Sequence, residues 1–385
     1  MRTPKDADPE LGHSRCLISN IDICVVFRAD TSDVKPRPTL TLQQAADMVL
    51  QLYGVRVTKI FTLPSYIDQN FLVVDGDGTK YVLKIMNSED SKNPAQMAMQ
   101  TLAMSLLQQH GVPTQMVMPT TTGELMSLEE MDCGHGSKIY CVRLMSYLPG
   151  KPVAQSPVTL QDLYHVGKLA AFLDKTLQQL MTPDSDILQR DDVIWSLSNI
   201  PLVENYLSVM DGDPLQDVIK AAIGQYKLYV EPKIVLFRKG IIHGDLNDHN
   251  IIVTPLDNGH HKVSGILDFA MLMNGYYVHE VAISIMYLML ENPSPMDVGG
   301  AVLAGFESVI PLNDDERDCL FLLVVARLCQ SLVYGRHNVQ KYPDNRKYLM
   351  TTAKNGTRLL TKLWELGKKQ VEEKWFADAS TYSEK

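Results

Sequence analysis

The sequence predicts an α+β chain of two lobes, a small antiparallel-sheet lobe followed by a larger, mainly helical one. Three observations carry this. Residues 37–145 alternate short β-branched runs with turn residues, and from 146 to about 380 apolar residues recur mainly at helical spacing. Between them Tyr147-Leu-Pro-Gly-Lys-Pro152 punctuates the chain and is the expected lobe boundary.

Taken in order, residues 1–36 stand apart. Leu17–Phe27 is moderately apolar but broken by Asn20 and Asp22, and Lys35-Pro-Arg-Pro38 closes it off, so an extension or mobile arm is expected. Thr41–Tyr53 carries Leu42, Ala45, Ala46, Val49, Leu50 and Tyr53 on one stripe and stops before Gly54, which predicts a helix. Strands are expected at 55–63, 69–74 and 80–86, the last two joined by the turn Asp75-Gly-Asp-Gly78. A helix is expected over 95–109, then strands at 117–119, 125–131 and 138–144. Beyond the boundary, helices are expected at 159–180, 202–209, 213–238, 277–291, 295–306, 314–334 and 346–374. One non-helical island, Gly240–Met273, interrupts them. Met97, Met99, Met104, Met286 and Met289 read as core filling.

Composition narrows the classes. The 385 residues are 45% hydrophobic and 21% charged, ordinary globular values, and the formal net charge is −9. That balance argues against a general nucleic-acid or anionic-membrane surface. No apolar stretch reads as a membrane span: Cys319–Ala326 is cut short by Arg327. None of the six cysteines forms a C-x-x-C pair, so reduced thiols, no structural zinc and a cytoplasmic location are expected. Asp6, Asp8 and Glu10 precede any apolar run, unlike a secretory or transit peptide. No obligate protein partner is expected.

The chemistry concentrates in the island. In Ile241–Val253 two apolar runs hold the polar loop His243-Gly-Asp-Leu-Asn-Asp-His-Asn250, and Gly265-Ile-Leu-Asp268 ends another short strand. A carboxylate and an amide oxygen suit a hard cation such as Mg²⁺. Phosphoryl transfer needs such a metal against the triphosphate charge and a group that positions the attacking hydroxyl. Asp245, Asn250 and Asp268-Phe269 reproduce the spacing that protein kinases use for this.

H-G-D-x-x-x-x-N followed by I-L-D-F resembles the aminoglycoside phosphotransferase and choline kinase superfamily. Within it, Leu63-Pro-Ser-Tyr-Ile-Asp-Gln-Asn-Phe71, the 243–250 loop, Gly275-Tyr-Tyr277 and Val302–Ser308 resemble the hydroxylysine kinase family, over residues 37–377. The resemblance implies a bilobal protein-kinase-like fold. It also implies transfer from GTP or ATP to a small amino alcohol, the side-chain hydroxyl of 5-hydroxylysine. Asp245 would accept or orient the acceptor hydroxyl; Asn250 and Asp268 would hold Mg²⁺. Lys84 would hold the α/β-phosphates, and otherwise is a solvent-facing strand lysine. Ser65, Tyr66, Gln69 and Asn70 would belong to the loop over the phosphates, and the Ser146–Leu148 main chain would meet the base.

His243 would brace the loop, while His249 is equally a structural or a pocket residue. Glu280 would orient the catalytic loop, or simply favour the helix dipole. Tyr276, Tyr277 and Arg327 are candidates for the charged acceptor, Arg327 being otherwise, and more readily, a buried ion-pair residue. Two positions depart from the superfamily. No acid occurs between Ser91 and Gly123, which predicts that Lys84 lacks a carboxylate partner at about Ala98. Ala270-Met271 replaces Gly-Asp, which restricts the backbone if a positive φ is needed there. These losses leave a competing reading, a degenerate kinase that binds nucleotide or scaffolds; another is a kinase for choline or ethanolamine.

Overall fold

The computed structural model describes residues 37–134, 136–181 and 183–382. The expected N-terminal extension, with Cys16 and Cys24, lies outside the described residues.

Helix α1 (Leu42–Tyr53) starts at Thr41, whose hydroxyl accepts from Gln44 N while the Gln44 side chain accepts from Thr41 N. Strands β1 (Val57–Leu63), β2 (Gln69–Asp75) and β3 (Lys80–Ile85) precede helix α2 (Pro94–Gln109); β4 (Ser127–Asp132) and β5 (Ser137–Ser146) follow it. All five form one antiparallel sheet in the order β1-β2-β3-β5-β4. Residues 117–119 contribute only a single bridge, Val117 to Met145. Because side chains alternate along a strand, Phe71, Val73, Leu83, Ile85, Val142 and Leu144 face Ala45, Val49 and Tyr53 of α1. The residues between them fall on the other face. Asn70, Lys84 and Arg143 are register partners across β2, β3 and β5, so they form one polar row there. This alternation puts Lys84 into the cleft.

The larger lobe begins with β6 (Lys151–Pro152) and helix α3 (Leu160–Leu177). Helix α4 (Gln216–Gln225) covers only part of the long helix expected at 213–238. The chain continues as a π turn, Tyr226–Val230, and a 3-10 turn, Glu231–Leu236. Pro232, which has no N–H to donate, accounts for the break. Likewise 202–209 lies within a 3-10 helix, Leu197–Met210, that contains Pro201.

The island folds as β7 (Lys239–Ile242), β8 (Ile251–Pro255), β9 (His261–Ile266) and β10 (Met273–Tyr276), with β7 paired to β10 and β8 to both β6 and β9. Helices α5 (Tyr277–Leu290), α6 (Pro295–Glu307), α7 (Asp314–Lys341), α8 (Arg346–Leu349) and α9 (Ala353–Ser380) complete the lobe. Helix α7 runs past the expected end at 334, and by length and composition it is long and apolar enough to cross a membrane. Its apolar window is 94% buried among the other helices, so in this fold it is the core helix of the lobe. Helix α9 kinks at Gly367.

Candidate active site

The loop 243–250 hangs between β7 and β8, whose residues Ile241, Ile242 and Ile251–Val253 are buried. Gly244 adopts φ +76°, and a Cβ there would lie 2.5 Å from the Met271 carbonyl oxygen, so the position needs glycine. Its N–H donates to Glu280 Oε2 at 2.8 Å. Burial raises the Glu280 carboxyl to about 7, partly offset by that bond. His243 Nδ1 accepts from Asp245 N at 3.3 Å, and Nε2 lies 2.9 Å from Leu267 O. The first contact makes Nε2 the protonated nitrogen. Burial lowers the imidazole to about 4, so it is neutral at pH 7.

Asp245 is held at both oxygens. Oδ1 accepts from Arg327 Nη2 at 3.1 Å; Oδ2 accepts from Asn247 Nδ2 at 3.0 Å and Asn250 Nδ2 at 3.1 Å. Arg327 is buried, its guanidinium 5.1 Å from the Trp195 ring centre and 5.5 Å from that of Tyr287. Burial raises the Asp245 carboxyl to about 6, against the opposing pull of Arg327.

Asp268 adopts φ 58°, the one non-glycine positive φ among the described residues. Ala270 lies in a 3-10 turn, Phe269–Met271, with ordinary backbone angles, so the expected strain of alanine there does not arise. Asp268 Oδ1 accepts from Lys84 Nζ at 3.2 Å and from Ala270 N at 3.3 Å.

Lys84 also corrects the sequence expectation. Ala98 is exposed, and the buried Gln100 instead accepts from Arg143 Nη2 at 2.9 Å. Yet Lys84 does not lack a carboxylate: Asp68 Oδ2 lies 3.2 Å from Nζ, in addition to Asp268. Burial alone would lower the ammonium, but the two carboxylates outweigh it and hold Lys84 above its ordinary value.

Asn250 Oδ1 and Asp268 Oδ2 accept no hydrogen bond from the described residues, and Leu267 N, bonded to Asn250 O at 2.9 Å, ties the two segments together. Two uncommitted hard oxygens beside the Lys84 ammonium fit Mg²⁺, which completes its shell with water and phosphate. Among the described residues no cluster of three or more His, Cys, Asp or Glu could hold a metal without such help.

Other expected residues are placed elsewhere. The Ser65 hydroxyl turns inward to Asp68 O, and the Gln69 amide grips Leu40 N and O at 2.8 Å each, so neither side chain is offered to phosphate. Asn70 stays in the polar row, with its buried Oδ1 unpartnered. Tyr66 reaches the other lobe through Asn338 and the edge of Trp195. Ser146 N and O are taken by Met116 O and Gln115 Nε2. Because β10 runs antiparallel to β7, Tyr276 lies opposite Lys239, the end away from Asp245. Tyr276 meets Phe237 and His279 edge-on there, and Tyr277 lies under the Arg238 guanidinium, outside the cleft. His249 is exposed, within electrostatic reach of Glu291.

Hydroxylysine kinase of Danio rerio is 50% identical over 351 residues, which is 91% of this chain and 99% of that one. The chain belongs to the hydroxylysine kinase family. The Mus musculus hydroxylysine kinase is 44% identical over 91% of this chain and 96% of its own. The phosphotransferase enzyme family matches residues 62–317. Among solved structures, an amicoumacin kinase in complex with AMP-PNP and Ca²⁺ superposes with a TM-score of 0.62 at 15% identity, covering 87% of this chain and 94% of its own. A microcompartment-associated aminopropanol kinase gives 0.55 at 18%, covering 83% and 98%. Both show the shared fold.

Within this family member, sequence reasoning missed Asp68, Asn247, Trp195 and Tyr348. Tyr348, on α8, lies within electrostatic reach of Asp268, Asp245 and Lys84. Asp68 and Asn247 stand inside motifs already quoted, so their signal was present. Trp195 comes from a segment with no pattern of its own, and Tyr348 from the start of the helix expected at 346–374, whose pattern signals no site.

Proposed function

We propose that this chain transfers the γ-phosphoryl group of GTP, or of ATP, to the side-chain hydroxyl of 5-hydroxy-L-lysine in the cytoplasm, with Mg²⁺. The observation that carries it is Asp245, fixed at both oxygens and facing the same cleft as Lys84, Asn250 and Asp268, in a chain of this family. The acceptor hydroxyl gives its proton to Asp245 as its oxygen bonds to the γ-phosphorus. The bond to the bridging oxygen breaks, and nucleoside diphosphate leaves. Lys84 holds the α/β-phosphates. Mg²⁺, held by Asn250 and Asp268, would neutralise the charge that builds on the phosphates. The four thiols among the described residues, Cys133, Cys141, Cys319 and Cys329, are free, which supports a reducing compartment.

A degenerate, non-catalytic role loses its main support, because Lys84 does have carboxylate partners. A panel of hydroxylysine, choline, ethanolamine and an aminoglycoside, each with ATP and GTP, tests the proposal. Hydroxylysine should show the highest kcat/KM, and preference for another acceptor overturns the substrate assignment.

A further inference from the structure

We infer that Asp68 takes over the work of the missing helix acid as a positioning residue, and so couples the orientation of Lys84 to the loop over the phosphates. This rests on the phosphotransfer reading above. Helix α2, Pro-Ala-Gln-Met-Ala-Met-Gln-Thr-Leu-Ala-Met-Ser-Leu-Leu-Gln-Gln, carries no acid, and its buried Gln100 is engaged by Arg143. The carboxylate that reaches Lys84 besides Asp268 comes from the other side, from the end of the loop between β1 and β2.

Asp68 is buried and cannot swing away. Its Oδ1 accepts from Asn87 N at 2.9 Å and Asn87 Nδ2 at 3.0 Å, which leaves Oδ2 for Lys84. The loop that carries it is closed on itself by Ser65 Oγ and Arg37 Nη2, both bonded to Asp68 O. Its other arm is fixed to the larger lobe: Asn345 Nδ2 donates to Ser65 O and to Tyr66 O at 3.0 Å each, and Tyr66 meets Asn338 and Trp195. Trp195 in turn flanks Arg327, which holds Asp245. An acid on a helix would make Lys84 respond to the position of that helix. An acid on this loop makes Lys84 respond to the seating of the loop between the lobes, and hence to the nucleotide beneath it.

Asp68→Asn keeps the shape and the acceptor for Asn87 but turns an amide donor toward Lys84. The account expects kcat to fall on the order of 100-fold and nucleotide KM to rise about tenfold. Hydroxylysine KM should be unchanged, and Asp68→Glu should recover part of kcat. Nucleotide KM and kcat within threefold of wild type would overturn the inference, as would a loss that falls on hydroxylysine KM instead. If Asp68→Asn does not fold, Asn87→Ala, which keeps the charge but frees its orientation, is read the same way: raised nucleotide KM supports the inference and unchanged kinetics overturn it. A wild type that nucleotide–Mg²⁺ stabilises but that transfers nothing to hydroxylysine removes the substrate assignment alone. The inference is then decided by whether Asp68→Asn loses the nucleotide-induced rise in melting temperature.

Discussion

Asp245 receives three hydrogen bonds on two oxygens, and burial still favours its protonated form. Its folded value of about 6 stands above the ordinary 3.8. Between those values the folded chain binds a proton that the unfolded chain has released, so the stability this group gives is complete below the lower value and is lost as pH rises through the upper one. Activity runs the other way, because the base must be ionised. We therefore predict that kcat/KM falls about tenfold per pH unit below about pH 6, measured as a pH–rate profile. Asp245→Asn should leave less than about a thousandth of the wild-type rate at pH 7.5. Glu280 gives a second test. With its carboxyl raised to about 7 and its Oε2 receiving Gly244 N, a neutral amide can stand in for it. Glu280→Gln should keep most of the activity, whereas Glu280→Ala leaves a buried N–H unpaired and should cost about 1–3 kcal/mol, read by chemical denaturation.

At this scale the sequence was legible where function is written locally. Spacing along short strands singled out Asp245, Asn250 and Asp268, and the family resemblance singled out Lys84; the structure pairs Asn250 with Asp245 and Lys84 with Asp268. Tyr276 and Tyr277 were misassigned because proximity in sequence to the motif is not proximity in space. The antiparallel pairing of β10 with β7 carries them away from Asp245. Asp68 was overlooked because its partner lies on another strand, and only the pairing of β2 with β3 brings the two together.

Among the elements, α7 shows how a helix is fixed at its start. Asn313 and Glu316 form a capping box, and the fully buried Glu316 also accepts from Arg238 N at 2.8 Å and pairs with the Arg238 guanidinium. Since Arg238 immediately precedes β7, this one carboxylate joins the core helix to the strand that leads into the catalytic loop. Glu316→Ala should lower stability by about 2–4 kcal/mol, read by chemical denaturation, and lower kcat through the loop. Unchanged stability would mean that the junction does not depend on this residue. Helical periodicity revealed most of the helices but not their breaks. Pro232 turns a stretch that reads as continuous helix into π and 3-10 turns, and the stretch expected as helix after Pro201 is 3-10.

For the molecule as a whole, the change from alternating to helical periodicity at the boundary made the two-lobed architecture readable, since each period buries a different kind of face. The arrangement of the lobes was not readable, because it depends on contacts such as Tyr66 with Asn338 and Asn345 with the Ser65 and Tyr66 carbonyls. A nucleotide bound between the lobes adds its binding energy to folding. At 100 times Kd, nucleotide–Mg²⁺ should stabilise the chain by about 2.7 kcal/mol, seen as a rise in melting temperature. The fold alone does not select an acceptor. The most direct test is therefore phosphate transfer from nucleoside triphosphate to 5-hydroxy-L-lysine, with the product located by ³¹P NMR. The account predicts a phosphate ester on the side-chain oxygen, formed by the wild type and absent with Asp245→Asn. Transfer that survives Asp245→Asn, or a wild type that phosphorylates another acceptor in preference, would contradict it.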